Sequence, residues 1–438
     1  MSDSFGNFFE IANNFVGHLE SSYPYYYTTL ANLQLDIVGF LAVLGEGSVL
    51  ANAQVSTLSG LIFIPRLLPA PQALLRPSRP SKLESEVGTV TGVHSGNKRD
   101  YVNAIGHLVL DAEKMPEYSV RCVKIKRLSD GTVKNRRVST QSLLAVFGCI
   151  QSVLLLALAV VYRDGMAILA VGLLSLLSTL VGVGNKWRLR LHKRNLQGPV
   201  PEGDVVIRYP KGNFLVVQCA EEVARELYFA PEAIHYLVTR PSVYRLISLV
   251  GTMMIMFGVI CLANAQIQLQ LAFAGAYISL NAAYWLVAAL PSKMNWDMSC
   301  FCIEKQQFAK SKLLDAAKWA KKGEDEEPPR AREMDPKTFA DYNPTFTWAL
   351  WRAIATTKKI GWVAHSNATP DSPAWRHWIQ EAQAEAQATT YDEATGMWTI
   401  SDWDPQVALT KLLENRDFVG EASSVRTESD AVLGAEKC

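Results

Sequence analysis

The sequence predicts an α-helical membrane protein with four transmembrane helices in two hairpins, and a fifth helix if an N-terminal stretch also spans. Four segments of 19 to 22 residues contain no charged residue. About 20 helical residues cross the hydrocarbon core of a bilayer. Short tips join these segments in pairs, and basic sequence flanks each pair. The segments are 142–162, 165–184, 246–264 and 269–290.

Lysine and arginine are concentrated next to the spans on one side. Loops rich in these residues stay on the cytoplasmic side of a membrane. The first tip, 163–164, carries one charge of each sign, and the second, 265–268, carries none. The sequence therefore places the polar segments 65–141, 185–245 and 291–438 in the cytoplasm. Basic residues close to the spans are Lys134, Arg136, Arg137, Lys186, Arg188, Arg190, Arg240, Arg245 and Lys293.

Five cysteines fall in these cytoplasmic segments, where disulfides are not expected: Cys122, Cys219, Cys300, Cys302 and Cys438. Cys300 and Cys302 lie about ten residues past the last span, a position that suits S-palmitoylation. The alternative is that both are ordinary thiols next to the membrane.

The N-terminal part allows two topologies. Residues 1–36 combine apolar residues at helical spacing with a tyrosine run, which is typical of an amphipathic segment at a membrane interface. Residues 37–64 form a weaker apolar stretch, either a single span, which we favour, or a re-entrant or interfacial helix pair. Glu46 in this stretch either lines a polar path or faces water at a helix break.

The cytoplasmic segments predict small folded parts joined by linkers. Segment 65–141 is predicted as a basic linker, proline-rich from Pro65 to Pro80 and Ser/Gly-rich from there to Arg99, followed by a β-hairpin of 118–126 with 132–138. Segment 185–245 is predicted as an α+β part: a hairpin of 205–209 with 214–219, then a helix over 220–229.

The C-terminal region predicts a helix to about residue 322 and an acidic linker, together 291–334, and then a compact tryptophan-rich part. This helical domain, 335–419, contains seven of the eleven tryptophans. Helices are predicted over 345–357 and 373–389, and their tryptophans are predicted to pack the two helices against each other. The tail 420–438 is predicted to be disordered.

Motifs for common chemistry are absent from the sequence. It contains no P-loop, no GxGxxG after a strand, no HExxH and no GxSxG, and its seven histidines never fall at metal-ligand spacing. Asp402-Trp403-Asp404 has the spacing of a metal-binding DxD motif, but a polar turn is the favoured interpretation. We therefore predict no catalytic residue, cofactor or metal.

Two carboxamides, Gln151 and Asn281, lie in the predicted spans away from the span ends. If they face each other, a hydrogen bond would join the two hairpins. Gly251 and Gly258 in the third span predict close helix packing, and so does a stripe of small residues in the fourth. The alternative for these residues is the lining of a substrate path. The stripe comprises Ala272, Ala276, Ser279 and Ala283.

Three stretches carry a resemblance: 208–231 with the run Arg-Tyr-Pro-Lys-Gly-Asn-Phe, 257–264, and 282–291 with Ala-Ala-Tyr-Trp-Leu-Val. Over about 200–380 the chain resembles an uncharacterised group of multi-pass membrane proteins of filamentous fungi. The resemblance implies a fungal origin and a multi-pass topology, and it transfers no catalytic residue. Some fungal membrane proteins accompany secondary metabolism.

Three functional hypotheses remain open. The first is a non-enzymatic membrane anchor or scaffold, because more than half of the chain is polar and the spans lack charge. The second is a transporter or export accessory for small apolar metabolites, which would require an oligomer. The third is a membrane-bound enzyme with a site at the cytoplasmic face, near His235 or Asp402. The expected partners are the bilayer, cytoplasmic proteins and a second copy of the chain, but no nucleic acid. The expected membrane is the endoplasmic reticulum or the plasma membrane.

Overall fold

The structure, a computed structural model, describes residues 59–110, 112, 115–136, 139–191, 199–309, 311 and 342–415. The described chain divides into two compact units. The helical unit comprises 59–79, 135–188 and 235–295, and the sheet unit comprises 80–134, 189–234 and 296–415. The predictions for 1–36, for Glu46 and nearly all of 37–64, for the acidic linker and for the tail 420–438 lie outside the described residues.

The described residues form ten α-helices, which we number in chain order. They are α1 (Ala104–Leu110), α2 (Thr140–Val161), α3 (Gly165–Asn185), α4 (Glu221–Ala224), α5 (Pro241–Ala263), α6 (Ile267–Ala288), α7 (Phe346–Thr357), α8 (Gly361–His365), α9 (Pro373–Ala386) and α10 (Pro405–Glu414). A π-helical turn, Arg225–Phe229, continues α4.

Twelve strands occur in the same residues. They are β1 (Glu86–Gly92), β2 (Lys98–Val102), β3 (Val120–Arg127), β4 (Lys134–Asn135), β5 (Trp187–Arg190), β6 (Val205–Arg208), β7 (Phe214–Cys219), β8 (Ala233–Tyr236), β9 (Trp296–Asp297), β10 (Phe301–Phe308), β11 (Thr390–Asp392) and β12 (Met397–Thr399).

Helices α2, α3, α5 and α6 are long and apolar enough to cross a membrane, which confirms the four segments predicted from the sequence. Helix α3 packs against α2 and α5, and α2 packs against α6. Gly251 and Gly258 of α5 permit close packing, because a Cβ at Gly258 would lie 2.9 Å from a methyl group of Leu174 in α3. Many large apolar side chains of the four helices remain exposed, including Leu143, Ile150, Leu154, Leu246, Met253, Phe257, Ile278 and Leu286.

The sheet unit is built around a mixed eight-stranded sheet in the order β11-β12-β10-β3-β7-β6-β1-β2. The predicted β6–β7 hairpin is confirmed, with Val205 opposite Val217 and Arg208 opposite Phe214. Strand β3 is parallel to β7 and antiparallel to β10. The prediction of small, separate α+β and helical parts was wrong, because three distant segments contribute strands to one sheet.

Three further local predictions were wrong. The second arm of the predicted hairpin after β3 forms only β4, which pairs with β9 in a separate two-stranded sheet. Residues 86–102, assigned mostly to a linker, form the paired strands β1 and β2. The chain after residue 295, predicted as a helix, forms β9 and β10 instead, because the Phe301 to Phe308 segment completes the sheet beside β3.

The tryptophan-rich segment shares its core with the sheet. Trp348, Trp351, Trp362, Trp378 and Trp398 are buried in one cluster together with residues of β3, β6 and β7. The predicted helices α7 and α9 are confirmed, with Thr345 and Ser372 as their N-caps. Trp403, from the loop before α10, lies 4.9 Å from Trp351 and 5.7 Å from Trp378 between ring centroids. Trp403 therefore links Trp351 of α7 to Trp378 of α9.

Candidate functional site

An irregular segment, residues 59–79, lies among the four long helices. It contains no α-helix or strand, only a 3₁₀ turn at Pro71–Leu74. Leu67, Leu74 and Leu75 are buried in the core that the long helices share. Non-helical backbone at membrane depth is tolerated where it is buried in protein or lines a water-filled cavity, because its polar groups then find partners.

Hydrogen bonds trace the path of this segment into the bundle. It begins where the hydroxyl of Ser59 lies 3.1 Å from that of Ser142, near the start of α2. The Arg66 amide then donates to the carbonyl oxygen of Ser175 at 3.3 Å, and the Leu67 amide to that of Gly148 at 3.4 Å. Ser175 precedes the end of α3 by ten residues, about 15 Å along the helix.

The segment then returns to the end at which it entered. The side-chain amide of Asn185, the last residue of α3, donates to the Leu74 carbonyl at 2.9 Å. In the first turns of α5, Ser248 donates to the Leu75 carbonyl at 2.6 Å and Tyr244 donates to the Arg76 carbonyl at 2.7 Å. We call residues 59–79 the re-entrant segment.

Arg79, the last residue of the re-entrant segment, binds groups next to the helical bundle. Its guanidinium lies 4.0 Å from the ring centroids of both Tyr236 and Tyr244. It also donates to the carbonyl oxygens of Gly184 at 2.6 Å and Val238 at 2.8 Å. Burial lowers the pKa of this guanidinium from its ordinary value, against the opposing influence of the two tyrosines.

Arg66 carries a positive charge into the bundle with only 5% of its surface exposed. Its Nη1 donates to the carbonyl oxygens of Leu61 and Ile62, each at 3.2 Å. It also reaches the Ile64 carbonyl at 3.4 Å, and the hydroxyl of Tyr284 in α6 is a further hydrogen-bond partner. No carboxylate within the described ranges forms an ion pair with Arg66.

This arrangement has a structural role and an electrostatic one. The guanidinium satisfies carbonyl groups of a turn that has no helical partners for them. It also places a charge in a region of low dielectric constant, where ionisable side chains are costly and commonly functional. The Nε atom of Arg66 is buried without a partner among the described residues.

Sequence reasoning missed Arg66. It treated residues 65–100 as a linker and noted that the spans themselves lack charge. The available signal was the composition of 61–75, in which Pro65, Pro69 and Pro71 interrupt a leucine-rich run around one arginine. Prolines exclude a regular helix, yet so many apolar residues are unusual in a solvated linker.

Gln151 joins the two hairpins, but through a residue other than the one predicted. Its Nε2 donates to the hydroxyl of Ser279 in α6 at 2.7 Å. Asn281, the predicted partner, lies two residues further along α6 and is buried. A second bond joins the tips, since Asp164 Oδ2 accepts from the Gln266 amide at 2.7 Å. The bond to Ser279 is consistent with packing, and the role of Gln151 stays a prediction.

The other predicted site residues are scattered. Cys300 is buried and precedes β10, so its thiol is not accessible for acylation in the folded chain, whereas Cys302 is half-buried within that strand. Lipidation of Cys302 stays a prediction. His235 is exposed in β8. Asp404 caps α10 by accepting from the amides of Gln406 and Val407, which supports the turn interpretation of the DxD motif.

A charged cleft occurs in the sheet unit. Its cavity of about 520 Å³ lies between β3, β7, α4 and a short strap, residues 200–204. The strap is held by the Gly203 amide, which donates to the Cys219 carbonyl at 2.8 Å. Only glycine fits there, because a Cβ at Gly203 would lie 2.3 Å from the Cα of Glu221. The charged residues of the lining are Lys124, Lys126, Arg127, Glu202, Asp204 and Glu222.

His94 lies beside the strap. Its Nδ1 is 2.8 Å from Nζ of Lys359, and its Nε2 is 3.7 Å from carboxylate oxygens of both Glu202 and Asp204. Burial raises the pKa of Asp204, although the Cys219 amide and His94 act in the opposite direction. A smaller cavity of about 200 Å³ opens on this side of the strap and shares Glu202 and Asp204 with the cleft.

The one cysteine of the cleft lining, Cys219, is not poised as a nucleophile. The thiolate is the nucleophilic form of cysteine, but burial raises the pKa of the Cys219 thiol far above its ordinary value. That thiol lies 3.5 Å from the Gly203 carbonyl. Across the part of the chain with described coordinates, no group of three or more His, Cys, Asp and Glu residues could hold a metal ion.

No protein-family model matches the chain, and comparisons with curated proteins and with solved structures gave no match. The resemblance to fungal membrane proteins therefore stays a prediction.

Proposed function

We propose that this protein is a multi-pass membrane anchor that holds its sheet unit at the cytoplasmic face of a bilayer, where the unit recruits cytoplasmic partners. The observation that carries the proposal is the origin of the sheet. Strands β3, β7 and β10 are hydrogen-bonded neighbours, yet a hairpin of long apolar helices lies between each of them and the next along the chain.

A β-sheet cannot form across a bilayer, because its strands must lie about 4.8 Å apart. A topology in which both hairpins leave and return on one face of the bilayer would meet this requirement. The basic residues beside the helices favour the cytoplasmic face. The exposed apolar side chains of α2, α3, α5 and α6 suit contact with lipid.

Cysteine labelling in sealed vesicles tests this topology. We introduce Arg163→Cys at the first tip and Lys411→Cys on the exposed side of α10, and add a membrane-impermeant maleimide. In right-side-out vesicles the first position should react at once, and the second only after permeabilisation. Reaction of both positions from the same side would contradict the proposed topology. Retrieval of the same cytoplasmic protein by the full chain and by neither hairpin alone would support recruitment.

The second candidate function is transport or export of a metabolite, and the buried charge of Arg66 favours it. A cation halfway along the bundle would suit an apolar molecule that carries an acidic group. Arg66→Lys keeps the charge, and Arg66→Met removes it. Metabolite contents of cells and medium should then change with Arg66→Met and not with Arg66→Lys. Equal contents in cells with and without the protein would argue against transport.

A further inference from the structure

The charged cleft contains two side chains of opposite charge that the sheet unit leaves unpaired. Lys124 belongs to β3 and Glu222 to the first turn of α4, and both line the cavity. Glu304 lies directly opposite Lys124 on β10, but its carboxylate accepts a hydrogen bond from Lys126 at 2.8 Å. Among the described residues, neither Lys124 nor Glu222 has a hydrogen-bond or ion-pair partner.

The remaining charges of the lining are already engaged. Arg127 pairs with the buried carboxylate of Glu226 and lies 5.1 Å from the ring centroid of Phe301. Asp204 accepts from the Cys219 amide at 3.1 Å. Glu202 faces His94, but 82% of its side chain is exposed. The cleft therefore presents the free ammonium group of Lys124 and the free carboxylate of Glu222, and the largely exposed carboxylate of Glu202 belongs to the same lining.

We propose that this cleft binds a small zwitterion, a molecule with an ammonium group at one end and an acidic group at the other. Glu222, assisted by Glu202, would receive the ammonium group, and Lys124 would receive the acidic group. The cavity is within the range of small-molecule sites. This binding goes beyond anchoring, because it gives the sheet unit a ligand of its own.

Both charges of the ligand are required. A single exposed ion pair contributes little, because water competes for each partner. Two such contacts on one molecule reinforce each other, since the first holds the second group at a high effective concentration. A ligand with one charge would gain a single weak contact and would approach a like charge on the opposite wall.

Two sources could supply this chemistry: a free amino acid, or the phosphoethanolamine headgroup of a lipid. The spacing of the two charges also distinguishes ligands. The ω-amino acids glycine, β-alanine, γ-aminobutyrate and 6-aminohexanoate increase that spacing in steps. Propylamine and propionate provide the matched molecules that carry one charge.

The experiment is calorimetric titration of the full chain in nanodiscs of phosphatidylglycerol, which contain no zwitterionic headgroup. At least one ω-amino acid or soluble phosphoethanolamine should bind about tenfold more tightly than propylamine or propionate. Tighter binding of phosphoethanolamine would identify a lipid headgroup, and tighter binding of an ω-amino acid would identify a free metabolite. Lys124→Met and Glu222→Gln should each weaken binding about tenfold. Lys411→Met, on exposed α10, should leave it unchanged.

Exchange of the two charges gives an independent check. Lys124→Glu or Glu222→Lys alone should abolish binding, and the two together should restore part of it. The proposal is wrong if no zwitterion binds, if propylamine binds as tightly as the best zwitterion, or if Lys124→Met has the affinity of the unmodified chain.

Discussion

The backbone amide of Arg66 donates a hydrogen bond to the hydroxyl of Ser178, 3.0 Å away in α3. The same hydroxyl donates to the carbonyl of Ile64 at 3.1 Å. The Ser178 hydroxyl thus forms hydrogen bonds with the amide of Arg66 and the carbonyl of Ile64, two groups of an irregular turn. Hydrogen bonds of this kind hold the re-entrant segment, and the stability of the helical unit should depend on them.

The contact of Gly182 with the re-entrant segment should be sensitive to one methyl group. A Cβ at Gly182 would lie 2.7 Å from the carbonyl oxygen of Ile62, whereas a Cβ at Gly172 in the same helix would meet nothing within 4 Å. Gly182→Ala should lower the free energy of unfolding by ~1–3 kcal/mol. Gly172→Ala should leave it unchanged or raise it by up to about 1 kcal/mol, since alanine favours helix. Thermal unfolding in detergent measures both, and equal effects would contradict the tight contact.

Removal of the Arg66 guanidinium should weaken the same turn. Arg66→Met leaves the buried carbonyl group of Ile62 without a donor, whereas the Leu61 carbonyl still accepts from the Ile64 amide at 3.2 Å. One orphaned carbonyl costs ~1–3 kcal/mol, so we expect a loss of about that size in the free energy of unfolding. Arg66→Lys, which keeps a donor, should lose less. A more stable Arg66→Met protein would show that the charge is a net cost to folding.

The hydrogen bond between Gln151 and Ser279 should appear as a coupling between the two hairpins. In a double-mutant cycle, Gln151→Leu and Ser279→Ala should be non-additive by ~0.6–2 kcal/mol. The matched control combines Gln151→Leu with Thr252→Ala, because Thr252 donates within its own helix to the Ser248 carbonyl. Unfolding in detergent gives the four free energies of each cycle. Additive losses in the first cycle would exclude the bond.

Glu232 should make the stability of the sheet unit depend on pH. Burial raises the pKa of this carboxyl to about 7, although the amides of Ile105 and Ala104 and the charge of Arg99 oppose the rise. The folded protein therefore holds the proton more tightly than the unfolded chain. The stabilising contribution is complete below the unfolded pKa of about 4.5 and is lost as the pH rises through about 7.

Between these limits the free energy of unfolding should fall by up to about 3 kcal/mol. Glu232→Gln carries no titrating proton, so it should remove this slope. Glu393→Gln, on an exposed turn, provides the control. Unfolding followed by tryptophan fluorescence from pH 4.5 to 8 measures all three proteins. Parallel profiles for the unmodified chain and Glu232→Gln would contradict the buried titration.

Prediction from the sequence succeeded where the signal was local. The four long helices, the β6–β7 hairpin, helices α7 and α9 and the glycine contacts of α5 were predicted correctly. It failed where a residue's partner lies far along the chain. Strand β10 was predicted as a continuation of the last helix, because its partner β3, with Lys126 opposite Cys302, lies far away in the sequence. The partner of Gln151 depends on the rotation of α2 and α6 about their axes, which the sequence does not give.

The sequence by itself determined which segments are apolar enough to enter a membrane and which side their basic flanks favour. The hydrophobicity and the charge of a short segment are sums over its own residues, so both can be read without knowledge of the fold. Only the tertiary structure decided that three separated segments share one sheet, that Arg66 lies among the long helices, and that Lys124 and Glu222 line one cleft. Each of these depends on contacts between distant residues, whose pairing no local pattern specifies.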